Sequence, residues 1–146
     1  MDELEDSIDL LIARDLIEVV PRIMHRVRVA MRTMAKGQMT IAQLRILARL
    51  HHDVFTITYL AEWQGVSAPA MSKMIDVLEK KLWVERIPHS HDRRQVGLKL
   101  TVEGRKVFLN IRKSAKARMA ETLSSVPESE KALLVQAFKV LSGLYS

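Results

Sequence analysis

The stretch Trp63-Gln64-Gly65-Val66-Ser67 constrains this chain more than any other, because it must end one helix and start the next within five residues. Gly65 suits the stop, since glycine enters the left-handed conformation of a helix exit at no steric cost. Ser67 suits the start: its hydroxyl can accept from an orphan amide of the first turn, where Pro69 is tolerated because no partner is needed there. Downstream, Met71, Met74, Ile75 and Leu78 recur at three- and four-residue spacing and mark the buried stripe of an amphipathic helix. Pro69, Ala70, Ser72, Lys73 and Asp76 are left on the other side. That side is small, hydroxyl-bearing and cationic near its N-terminal end, which fits a helix lying against phosphates and base edges. The plain alternative is a core helix that happens to be well capped. Upstream, Thr58 to Gln64 reads as a short helix holding Tyr59, Leu60 and Trp63, so the pair predicts a helix-turn-helix.

The flanks extend this module in order. Leu4 to Met34 follows helical spacing almost without a break, predicting one long helix or two joined at a kink at Pro21. Thr40 caps a helix with Ile41, Leu44, Ile46, Leu47 and Leu50 on its apolar side. Val54 to Ile57 is a short strand candidate. Trp83 to Ile87 and Val96 to Leu100 predict two further strands, joined by the polar, basic segment Pro88 to Gln95 as a hairpin. Thr101 caps a helix to about Leu123, and a last helix starts near Pro127 with Leu133, Leu134, Ala137, Leu141 and Leu144. The expected fold is mainly α with a small β-wing. The long apolar faces at the two ends have little to bury themselves against in 146 residues, which argues for a second copy as the missing surface.

Composition narrows the function. The chain has 23 Lys and Arg against 17 Asp and Glu, a formal +6. Residues 1–20 carry seven acids and one base, so the basic excess lies entirely in the remainder and favours a polyanionic partner. There is no cysteine, which excludes disulfides, thiolate metal sites and cysteine nucleophiles. An acidic start and the lack of a roughly 20-residue apolar run predict a soluble, cytoplasmic protein with no membrane span. No Gly-rich phosphate loop and no acid, base and nucleophile set comes together, so neither an enzyme nor a cofactor is expected. His51-His52-Asp53 and His89, His91 and Asp92 lack third and fourth ligands at a diagnostic spacing, and no metal site is expected. The eight methionines fit a deformable core or, alternatively, the lining of a ligand pocket.

This order of elements resembles the MarR family of winged helix-turn-helix regulators. The resemblance rests on Met39-Thr40-Ile41-Ala42-Gln43-Leu44, on Leu60-Ala61-Glu62-Trp63-Gln64-Gly65-Val66-Ser67, on Leu78-Glu79-Lys80-Lys81, and on Asp92-Arg93-Arg94 followed by Leu100-Thr101-Val102-Glu103-Gly104. The last pairing is the most specific. The resemblance implies a single domain over 1–146, with helical dimerisation regions at 1–36 and 102–146 and a winged helix-turn-helix at 40–101. It also implies a homodimeric regulator, most often a repressor, on a pseudo-palindromic double-stranded operator, with recognition helices about one DNA turn, ~34 Å, apart. A small lipophilic or aromatic effector is implied as well, although no residue identifies its site. One departure stands out. The family commonly has glycine where this chain has Leu82, which makes a left-handed exit less favourable and predicts an altered connection into the wing.

The candidate DNA contacts follow from both lines. Ser67 and Ser72 are candidates for phosphate or base contacts, Lys73 for a phosphate or a guanine, and Ala68 and Pro69 for thymine methyls. At the hairpin tip the family places an arginine in the minor groove; here Arg93 is assigned to the groove, with Asp92 bracing Arg94, and the bland alternative is a solvated turn. Arg86 is a further phosphate candidate. The rival function is a winged-helix module that binds protein without DNA.

Overall fold

The computed structural model describes residues 7–88 and 95–145. Its first helix, α1 (Ile8–Ala35), starts at Ser7, whose side chain accepts from the amide of Asp9, and runs without interruption through Pro21. The proline does not divide it. The carbonyl of Ile17 that Pro21 leaves without a partner belongs to an exposed residue, where water can satisfy it. A full capping box at Thr40 and Gln43 then starts α2 (Ile41–Leu50). The strand expected over Val54 to Ile57 shrinks to β1 (Phe55–Thr56), because Thr56 turns its hydroxyl to the amide of Tyr59 and caps α3 (Ile57–Gln64).

Gly65, at φ 72°, ends α3 with a Schellman pair: Val66 N–H donates to Ala61 and Gly65 N–H to Glu62. Helix α4 (Ala68–Lys80) begins at once from Ser67, whose Oγ accepts from the amide of Ala70 at 3.3 Å. The remaining elements are β2 (Val84–Pro88), β3 (Val96–Leu100), α5 (Val102–Glu121) and α6 (Glu128–Leu144). The three strands form one antiparallel sheet in the order β1-β3-β2, with Val84 opposite Leu100 and Phe55 opposite Leu98. Pro88 sits on the edge strand, where its missing N–H costs no interior ladder bond. Ile46, Leu47, Leu60, Met71, Ile75, Leu78 and Leu98 are fully buried and form the centre of the core. Met31, Met34, Met39 and Met74 pack around it. No helix among the described residues is long and apolar enough to cross a membrane.

The exit of α4 corrects one expectation. Leu82 takes the left-handed conformation itself, at φ 59°, so the connection into the wing keeps the geometry glycine would give. The same Schellman pair closes it: Trp83 N–H donates to Leu78 at 3.0 Å and Leu82 N–H to Glu79 at 2.8 Å. Thr101 secures it from the other side. Its Oγ1 donates to the Leu82 carbonyl at 2.5 Å and accepts from the Gly104 amide at 2.9 Å, and its N–H donates to the Trp83 carbonyl at 3.1 Å. Gly104 lies so close beneath that a Cβ there would stand 1.9 Å from the Trp83 carbonyl oxygen. The Leu-Thr-x-x-Gly string is thus a clasp between the start of α5 and the end of α4.

Leu82 is 71% exposed, so its side chain returns little burial for a left-handed backbone that costs about 1 kcal/mol or more. Urea unfolding at fixed protein concentration is expected to show Leu82→Gly more stable by about 1 kcal/mol, and Gly104→Ala less stable by about 3 kcal/mol as backbone is forced apart.

Candidate nucleic-acid interface

The outer face of α4 is built as its apolar stripe requires. Met71, Ile75 and Leu78 are buried against the core, which turns Ser67, Ala68, Pro69, Ala70 and Lys73 to solvent and leaves Ser72 half-buried. Lys73 has no ion-pair partner among the described residues. The N-terminal end of α4 therefore offers small side chains in its first turn and the Lys73 ammonium in its second. Asp92, Arg93 and Arg94 lie outside the described residues, as do His89 and His91.

Arg86 is placed differently from the others. Projecting from β2, its Nη2 donates to Asp76 at 2.8 Å and its Nε to Glu79 at 2.9 Å, both on α4. One guanidinium thus braces the wing strand against the recognition-type helix. The acids that hold it were visible in the sequence as an i, i+3 pair on the polar side of α4, but nothing there indicated that β2 would cross them. Lys81 adds a second tie, donating to the Gln38 carbonyl at 2.9 Å with its Nζ 4.6 Å from the Trp83 ring centroid.

A cluster that sequence reasoning missed holds the helix-turn-helix from behind. Arg49 of α2 lies over Phe55, Tyr59 and Trp63, at 4.6, 5.3 and 5.7 Å from the ring centroids, and donates to the Tyr59 hydroxyl. Phe55 and Tyr59 stack at 4.6 Å, and Arg45 covers the outer ring of Trp63 at 5.1 Å. The available signal was two four-residue ladders, Arg45 with Arg49 and Phe55 with Tyr59 and Trp63, which the fold sets against each other. His51, at the end of α2, has its pKa lowered by burial first and then by the charges of Arg105, His52 and Arg112. Among the described residues no three potential metal ligands cluster.

A capped helix after a Gly turn, braced to an antiparallel wing, defines a winged helix-turn-helix DNA-binding protein. The MarR family model matches residues 39–96. The transcriptional repressor MdtR of Bacillus subtilis is 35% identical over 113 residues, spanning 77% of this chain and 71% of that protein. Among solved structures, transcriptional regulator Tm0710 of Thermotoga maritima superposes with a TM-score of 0.78 at 20% identity, over 90% of this chain and 94% of that one. A mutant of MarR from E. coli complexed with operator DNA gives a TM-score of 0.55 at 25% identity, over 87% and 96%. The chain belongs to the MarR family of transcriptional regulators.

Arg49 contributes stacking and a hydrogen bond from a site closed on one side by core. Arg49→Met, which keeps the aliphatic stem, is expected to lower stability in urea by about 2 kcal/mol, whereas Arg45→Met at the open end is expected to cost under about 1 kcal/mol.

Proposed function

We propose that this regulator is a repressor acting in the cytoplasm as a homodimer on a pseudo-palindromic operator, and that a small lipophilic or aromatic effector releases it. The observation that carries the DNA part is the exposed N-terminal face of α4, with Ser67, Ala68 and Pro69 in its first turn and Lys73, unpaired among the described residues, in its second. Ser67 and Ser72 donate to phosphates or bases, Lys73 meets a phosphate or a guanine, and Ala68 and Pro69 meet thymine methyls. Arg93 enters the minor groove beside Arg94 held by Asp92. Arg86 keeps wing and helix in register through Asp76 and Glu79, with its Nη1 edge turned to a phosphate. Repression is supported by the naming of MdtR, and an operator partner by the DNA complex of the E. coli MarR mutant.

The dimer is supported by what α6 lacks: it has no buried residue, although Leu133, Leu134, Val135, Phe138, Val140 and Leu144 lie along it. The N-terminal half of α1 similarly exposes Ile8, Leu11, Ile12 and Ile17. Apolar faces this large are stable in water only when a partner covers them. For the effector, a cavity of about 610 Å³ lies between the end of α1 and the start of α2, with Met39, Ile41 and Leu44 on its apolar side and Arg32 and Lys36 beside them. That lining suits an aromatic body with an acidic group. The effector acts only by favouring one dimer geometry over the other; affinity common to both shifts nothing.

Mobility shifts over a salt series test the DNA reading. Lys73→Gln and Arg93→Gln are each expected to weaken binding and to flatten the slope of log K against log salt by about 0.9. Absence of sequence preference in the wild type contradicts the regulator and favours a protein-binding winged helix. Light scattering tests the assembly: Phe138→Glu is expected to weaken the dimer by at least about a hundredfold, because the charge enters the interface twice.

A further inference from the structure

The end of α2 sets the His51 imidazole against the first half of α5, with His52 beside it, outside the face assigned to DNA. The rings of His51 and His52 are 5.5 Å apart, and His51 lies on Phe108 of α5 at 5.0 Å between centroids. Nη1 of Arg105 is 3.2 Å from Nδ1 of His51. A guanidinium can only donate, so this nitrogen accepts and the ring is neutral. Arg112 follows Arg105 by two helical turns on the same side of α5. Among the described residues neither arginine has a carboxylate within ion-pair distance. Asp53, beside His52, turns its Oδ1 to the amide of Val54 at 2.7 Å, and Glu103, two residues before Arg105, makes no ion pair with it. Donors converge here with no carboxylate paired to them among the described residues.

We propose that the junction of α2 and α5 is an oxyanion site, taking a compact carboxylate, sulfate or phosphate group between Arg105, Arg112 and the His51–His52 pair. Guanidinium forks match the oxygens of such groups in both charge and geometry. Phe108 supplies a fixed floor for the His51 ring. The anion draws Arg105 off the His51 nitrogen and onto its own oxygens, and His51 takes a proton and becomes a second donor. Among the described residues the charged groups that act on His51 are Arg105 and Arg112 from α5 and His52 from its own turn. Burial first, and then these charges, lower the pKa of the His51 ring from its ordinary value. A bound anion opposes their charge and raises it again, so binding takes up a proton and tightens as pH falls. The site joins the winged module to the outer helices and requires nothing of the DNA reading.

Sulfate is the probe, because it keeps its charge over the relevant pH range. The His51 ring resonance of the full chain is followed against pH with sulfate, and with chloride at matched ionic strength. Sulfate is expected to raise the His51 pKa by about one unit beyond chloride, a tenfold change in proton affinity, and to bind correspondingly tighter at low pH. In Arg105→Gln/Arg112→Gln the sulfate response disappears, and the His51 pKa of the empty site rises as two cations leave. A sulfate effect no larger than that of chloride overturns the proposal, as does a response that survives in the double variant. Should the double variant fail to fold, Arg112→Gln alone, which touches no packed ring, must cut sulfate affinity several-fold; unchanged affinity overturns the site.

Discussion

The backbone of Leu82 and Trp83 is the point on which the geometry of this protein turns. Their two carbonyls receive Thr101, their two amides close the end of α4, and the Trp83 carbonyl rests on the bare Cα of Gly104. Reading helix, wing and the long helix α5 are therefore fixed by one set of short contacts. A left-handed leucine costs about 1 kcal/mol there, and two Schellman bonds plus the Thr101 clasp over-determine the conformation enough to hold it. A further brace comes from Arg86, which ties the first wing strand to α4 one turn farther up.

Much of this was legible in the chain because short-range chemistry dictates it. Thr40, Ser67 and Thr101 each start a helix by capping it, and Gly65 ends one, so element order follows from local residues, whereas Thr56, expected in a strand, caps α3. Where the sequence left alternatives open or misled, a tertiary contact or solvent decided. At Pro21, where one helix or two were possible, exposure lets water take the freed carbonyl and the helix is one. At Leu82 the intrinsic preference is overruled by the Schellman bonds to Leu78 and Glu79 together with Thr101, nineteen residues away. The candidate site was legible as a face, since the buried stripe of α4 fixes which side chains look outward. The role of Arg86 was not, because its carboxylate partners lie on a different element. The packing of Arg49 among three aromatic rings was equally hidden, since it depends on how α2 crosses α3 and β1.

The molecule divides its surface by chemistry. Apolar residues are concentrated on α6 and the first half of α1, where a second copy would cover them, and the open polar turn of α4 faces away from the core. Between these, α2 and α5 meet at a cationic junction whose arginines have no ion-pair partner among the described residues. If the chain acts as the proposed dimer, with half-site spacing set by how each winged module sits on its outer helices, that junction and the α1–α2 cavity are the places from which a ligand would move α4. Such coupling requires a ligand that distinguishes the two arrangements.

The central claim is that α4 reads DNA as one of a symmetric pair. It is tested most directly by selecting bound sequences from a random double-stranded DNA pool with the wild-type chain, and by mapping major-groove protection on the winners. The account predicts an enriched inverted repeat whose two protected major-groove tracts lie about one helical turn, ~34 Å, apart on one face of the duplex. Enrichment of a single unrepeated element, or no enrichment at all, would contradict it.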